Sequence, residues 1–141
     1  MADQNFTTNW KFSAGLNHAP AYQVSGAPFA KAAIDTQTGN DATVLSFPYV
    51  TKWVQIINND TANAVKVAFS VRGLESENNY FTVGKGAASI PVSTQVLDMK
   101  ITELYMTGSS NVDIVAGLTS IKPQSAATTF GPNWSGSAGV G

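Results

Sequence analysis

Thr51-Lys-Trp-Val-Gln-Ile-Ile-Asn-Asn-Asp-Thr-Ala-Asn-Ala-Val-Lys-Val-Ala-Phe-Ser-Val-Arg72 is the stretch from which the fold is read. In its second half Val65, Val67, Phe69 and Val71 alternate with Lys66, Ala68, Ser70 and Arg72, the period of two of a half-buried strand. Its first half, Lys52 to Asn58, is equally rich in β-branched and aromatic side chains, and Asn58-Asn-Asp-Thr-Ala-Asn63 between the halves is almost wholly turn formers. The spacing predicts an antiparallel hairpin. Trp53 and Ile57 fall on the side away from Val54 and Ile56, so both faces of the first strand are apolar. That pattern suits a core or subunit-interface position for Trp53, or a sugar-stacking platform shared with Tyr80.

Upstream, Thr43–Phe47 reads as a strand ended by Pro48, and residues 34–41 as a turn around Thr38-Gly-Asn-Asp41. Tyr22–Phe29 is a strand candidate at a sheet edge, because Pro28 cannot donate to a ladder and Gly26 favours a bulge. Downstream, Gly73–Asn79 is a polar loop, Tyr80–Val83 a short strand, and Gly84-Lys-Gly86 a hairpin turn; Ala88–Val92 follows, with Pro91 demoting it to an edge. Thr94–Met106 is the longest strand candidate: Leu97, Met99 and Ile101 alternate, then the apolar face jumps to Leu104 and Met106, as one extra residue near Thr102 or Glu103 would make it. Gly108–Asn111 is a turn, and Val112, Ile114, Ala116 and Leu118 resume the alternation.

No stretch has a helical period. About eight short strands at this spacing predict an all-β chain, a single antiparallel β-sandwich of jelly-roll type, with an immunoglobulin-like sandwich as the alternative topology. The β-sandwich spans residues 21–122, between an N-terminal arm, 1–20, and a flexible Gly/Ser/Ala-rich tail, 123–141, that carries no charge. Phe6, Trp10 and Phe12 in the arm and Phe130 and Trp134 in the tail are large anchors among small or polar residues. Together with Trp53 they are the candidate partner-binding residues.

The 141 residues suffice for one domain that buries roughly two-thirds of its unfolded surface. Cysteine is absent, which excludes thiol catalysis, thiolate zinc sites and disulfide scaffolding. A net charge of −1 with 12% charged residues gives no steering towards phosphate backbones or anionic lipid, and neither nucleic acid nor membrane is an expected partner. There is no basic-then-apolar leader at the amino terminus and no run long enough to span a bilayer, so the chain is expected to be made in the cytoplasm and used without secretion. The Asn5-Phe-Thr7, Asn59-Asp-Thr61 and Asn133-Trp-Ser135 triplets are then incidental matches to a glycosylation signal.

Catalytic chemistry is sparse. The single histidine, His18, lies in the arm, away from any acid that would orient it. Glu75 with Glu77, and Asp98 and Glu103 with Asp113, are carboxylates on loops or strand faces, where solvation accounts for them better than an acid–base pair does. Asn58-Asn-Asp60 and Thr38-Gly-Asn-Asp41 offer oxygen ligands without the spacing of a calcium loop. Gly84-Lys-Gly86 lacks the spacing of a phosphate loop. Neither a catalytic set, a cofactor nor a metal is expected.

Val24-Ser-Gly-Ala-Pro-Phe29, Phe47-Pro-Tyr-Val-Thr-Lys-Trp-Val-Gln-Ile-Ile-Asn58, Val67-Ala-Phe-Ser-Val-Arg-Gly73, Asn79-Tyr-Phe-Thr-Val83 and Asp113-Ile-Val-Ala-Gly-Leu-Thr-Ser-Ile121 together resemble small structural proteins of tailed-bacteriophage heads, the capsid decoration or cement proteins. The resemblance covers about Tyr22 to Ile121 and is one of composition and strand style. It implies a jelly-roll-like homotrimer held on the outside of the virion shell by contacts with the major capsid protein, and no enzymatic activity. A β-sandwich carbohydrate-binding module is the alternative function.

Overall fold

The computed structural model describes residues 19–23, 25–39, 41–75, 79–123, 127–128 and 131–132. A single helical turn, α1 (Ala19–Gln23), leads into β1 (Ala27–Ile34), β2 (Thr43–Ser46), β3 (Thr51–Asn58) and β4 (Val65–Ala68). A second turn, α2 (Val71–Glu75), precedes β5 (Phe81–Val83), β6 (Val92–Ser93), β7 (Glu103–Thr107) and β8 (Val112–Leu118). A separate pair, β9 (Ala127–Thr128) and β10 (Gly131–Pro132), closes the described chain.

Two antiparallel four-stranded sheets face each other, sheet A in the order β1-β8-β3-β6 and sheet B in the order β2-β7-β4-β5. The first strand pairs with the eighth, the second with the seventh, the third with the sixth and the fourth with the fifth. The chain is therefore one long folded-back ribbon rolled over on itself, and rolling brings β8 beside β3 and β7 beside β4. This is the jelly roll, and the immunoglobulin-like alternative falls away.

Rolling also overturns the hairpin expected from residues 51–72. β3 and β4 lie in different sheets, with β8 and β6 holding both sides of β3. Residues 58–64 are an arch across the end of the sandwich, because turn-forming composition specifies a reversal but not which sheet the chain re-enters. Four such crossings meet there, held by buried polar side chains. Asn58 Nδ2 donates to the carbonyls of Asn63 (3.0 Å) and Gly84 (2.9 Å), and its Oδ1 accepts from Ser109 Oγ (2.7 Å). Asp60 accepts the N–H groups of Ala62, Asn63 and Ser110 and the Ser110 hydroxyl. Thr36 and Ser109 exchange bonds that tie the β1–β2 crossing to the β7–β8 crossing.

Three further expectations are corrected by the same topology. Gly84-Lys-Gly86 carries the chain from sheet B to sheet A and is not a hairpin turn; the tight turn follows at Ala87–Ile90, whose end residues exchange backbone bonds. The phase change near Thr102 is real, but it marks the point where the chain leaves the side of β3 and enters β7 in the other sheet, not a bulge in one strand. The second strand ends at Ala68, and Val71–Glu75 is helical. Ser70 Oγ accepts the Gly73 N–H at 3.0 Å, an N-cap that local alternation disguised.

The core lies between the sheets. Val54, Ile56, Val112, Ile114 and Ala116 of sheet A meet Leu45, Val65, Val67, Leu104 and Met106 of sheet B, all buried. Phe29 reaches in from the β1 edge to Phe47, ring centroids 5.2 Å apart and edge to face. Phe69, expected inside with Val67, is half-buried against Phe81.

Candidate interaction surface

The outer face of sheet A is built around Trp53. The register of β3 on β8 shifts between Thr51 and Trp53, so Lys52 is an extra residue and both Thr51 and Val54 turn inward. Trp53 and Ile57 are half-buried on the outside, opposite fully buried Val54 and Ile56, as the alternation predicts. The indole lies across Gly117 of β8: a Cβ there would stand 2.2 Å from Trp53 Nε1. A Cβ on Gly26, just before β1, would in turn stand 2.6 Å from the Gly117 Cα. Gly117 thus makes room for the Trp53 ring against β8, and Gly26 for the close approach of the chain before β1 to the β8 backbone.

Tyr80 does not join it. It precedes β5 of sheet B, and its ring carries the Lys66 ammonium 4.8 Å from its centroid. The two aromatics proposed as one sugar platform therefore sit on opposite sheets.

Among the described residues, four of the seven exposed large apolar side chains fall in one segment of sheet A, the others being Val44, Tyr49 and Val71. Ile90 (66% exposed), Val92, Val96 (55%) and Met99 all belong to residues 90–99, the segment that enters β6 and then runs beside β3. Pro91 signalled an edge here; the concentration of apolar side chains was hidden because their alternation looks like that of a core strand. Only the other side of this segment is engaged. Thr94 N–H donates to Ile56 O (2.9 Å), Leu97 exchanges bonds with Val54 (2.8 and 2.9 Å), and Thr51 Oγ1 accepts the Ile101 N–H (2.8 Å) while donating to Met99 O (2.7 Å).

At the end of this strip Tyr22 of α1, Lys52, Asp98, Met99 and Lys100 line a recess of about 350 Å³. The Tyr22 hydroxyl is buried and, among the described residues, has no hydrogen-bond partner. Burial pushes its pKa up. A buried hydroxyl without an acceptor is costly, which makes the recess a place where a partner's acceptor would be favoured.

The carboxylates are dispersed, and Asp113, Glu103, Asp60 and Asp35 are engaged in local structure. Asp113, on the outer face of β8, accepts the Ala33 N–H at 2.9 Å; Glu103, in sheet B, accepts the Tyr105 hydroxyl at 2.6 Å. Burial and Glu103 together push Tyr105 up to about 12. The Ser110 and Ala62 N–H groups and the Ser110 hydroxyl hold Asp60 well below the usual carboxylate range. Its Oδ1 accepts from Ala62 and Asn63 within the arch and its Oδ2 from Ser110 of the β7–β8 crossing, so the Asn58-Asn-Asp60 stretch is turn and crossing chemistry. Asp35 does the same for Gln37 and Thr38 in the turn before β2, and hydrogen bonding lowers its pKa, the Thr38 hydroxyl first. Among the described residues no group of three or more His, Asp or Glu side chains is placed to hold a metal ion, and no helix is long and apolar enough to cross a membrane.

His18, Glu77 and five of the candidate partner-binding residues, Phe6, Trp10, Phe12, Phe130 and Trp134, lie outside the described residues. Comparison of the chain with family models, with curated proteins and with solved structures finds no match.

Proposed function

We propose that this chain is a non-enzymatic structural protein of a phage head, which decorates and stabilises the outside of the capsid shell through contacts with the major capsid protein. The observation that carries this reading is the strip of exposed apolar side chains, Ile90, Val92, Val96 and Met99, along one edge of sheet A. Four exposed apolar side chains within ten residues at a sheet edge suit a protein contact better than single scattered ones, which need no explanation. The jelly roll serves viral shell proteins and lectins alike, so the fold supports the reading without choosing it. The alternative, a carbohydrate-binding module, wants aromatics in one row, and Trp53 lies on Gly117 while Tyr80 is on the other sheet.

The chain acts as a homo-oligomer, with a trimer favoured, at the virion surface, and the aromatics of its arm and tail add contacts there. It needs no cofactor and does not bind nucleic acid. The test is to look for the chain on purified virus particles and to add it back to shells stripped of it, with mass by light scattering for the oligomer. Saturable occupancy on stripped shells is expected. Glycan-array binding by the monomer, with no binding to shells, would replace this reading with the carbohydrate-binding one.

A further inference from the structure

Residues 1–18 lie outside the described residues, yet their sequence carries a pattern of its own. Phe6, Thr8, Trp10, Phe12, Ala14 and Leu16 alternate with Thr7, Asn9, Lys11, Ser13 and Gly15. This is a period of two with every large apolar side chain on one side, the pattern of an extended segment that buries one face. Three aromatics and a leucine so arranged call for an apolar surface to lie on.

Such a surface lies where the arm enters the sandwich. α1 begins at Ala19, and Tyr22, about one turn further on, lines the recess with Asp98, Met99 and Lys100. The arm therefore joins at the Met99 end of the exposed strip, which continues through Val96 and Val92 to Ile90. Residues 6–16 span roughly 36 Å when extended and residues 90–99 at most about 33 Å, so the lengths match. Tethered at this end, the arm meets the strip at a high effective concentration, whereas a separate chain must give up its translational freedom to bind. The buried Tyr22 hydroxyl, without a partner among the described residues, is a donor at the point of entry, and the entering chain brings carbonyl acceptors. The tail is the poorer occupant, because residues 127–128 and 131–132 already pair with each other.

We infer that residues 6–16 lie extended along residues 90–99 of the same molecule, running parallel to them, with Phe6, Trp10 and Phe12 turned onto the exposed Val92, Val96 and Met99. The inference stands without the decoration reading. Under that reading, a shell protein that takes the strip must first lift the arm.

The experiment uses the full chain, in which cysteine is absent, so that one substitution introduces one thiol. Val96→Cys and Val44→Cys are compared by their rates of alkylation with iodoacetamide; Val96 is 55% exposed and Val44, on the other sheet, 47%. With the native arm the thiol at position 96 should react at least fivefold more slowly than that at position 44. Trp10→Ser with Phe12→Ser should raise the rate at 96 at least fivefold and leave that at 44 unchanged. Conversely, a thiol from Phe12→Cys should react slowly in the otherwise native chain and at least fivefold faster when Val96→Asp is added. If the double serine variant melts early, this second pair of variants carries the test. Equal rates at 96 and 44 beneath the native arm, or a rate at 96 that ignores the arm variants, would overturn the inference. Slow alkylation at 96 that is lost on dilution, together with a fall in mass by light scattering, would assign the strip to the arm of a second copy and overturn the arm of the same molecule as its occupant.

Discussion

The two edges of sheet A are built differently. β1 runs for eight residues, yet it is closed to further pairing: Pro28 lacks a donor, and the ladder to β8 slips between Lys31 and Ile34. Ala33 there takes a left-handed φ of 54°, held by the bond from its N–H to Asp113. A proline and a bulge are the means by which sheets avoid adding strands. The β6 edge has only two ladder residues after Pro91, and its continuation donates to β3 through the N–H groups of Thr94, Leu97 and Ile101 alone, with Val92, Val96 and Met99 exposed. One edge is finished within the chain. The other is short and carries exposed apolar side chains.

The comparison presupposes a common core, so the largest effect comes from destroying it. Val67→Asp places an unpaired charge at a fully buried position facing sheet A. The chain should be unfolded or insoluble, with a loss on the order of 4 kcal/mol or more, while Lys66→Ala, which removes only a surface cation from Tyr80, should cost well under 1 kcal/mol. Denaturant melts of the two variants settle it, and equal midpoints would mean the faces of β4 are misassigned.

The second effect separates the outer face of sheet A from both edges. Gly117→Ala puts a methyl group where the Trp53 indole lies, and overpacking of this kind costs about 1–3 kcal/mol. Displaced Trp53 should emit at longer wavelength. An unshifted spectrum and full stability would show that the ring does not depend on Gly117.

Opening the finished edge is the third. Asp113→Ala removes the acceptor of the Ala33 N–H and should cost about 1 kcal/mol, with faster amide exchange confined to β1. If β1 is guarded by this bulge, the variant should also self-associate more than the native chain by light scattering. Unchanged exchange at residues 31–34 would count against the guard.

The smallest effects concern pH and lie away from both edges. Asp60 has a lowered folded pKa, so its contribution is present above the unfolded carboxylate value of about 3.9 and is lost as pH falls below it. Tyr105 has a raised one, so its contribution is present below about 10 and is lost as pH rises towards about 12. Asp60→Asn should flatten the acid limb of a stability–pH curve, and Tyr105→Phe the alkaline limb. A variant that keeps its limb would assign that dependence to another group.

The period of two at Val65 and Val67, at Val54 and Ile56, and from Val112 to Leu118 was legible from residue order, because which face a strand residue takes is set by its immediate neighbours along the chain. Pro28 and Pro91 marked both edges of one sheet for an equally local reason, the missing donor. Pairing is a matter between residues far apart in the chain, and there the same alternation fits many partners. Thus β3 and β4 read as a hairpin, yet a strand takes whichever neighbours the rolled ribbon brings to it, and the turn formers at Asn58–Asn63 serve an arch as well as a hairpin. The candidate interaction surface divides in the same way. Trp53 stood out by its composition and its face, whereas the recess joins Tyr22, Lys52 and Lys100 from three separate parts of the chain, and only the packed sandwich brings them together.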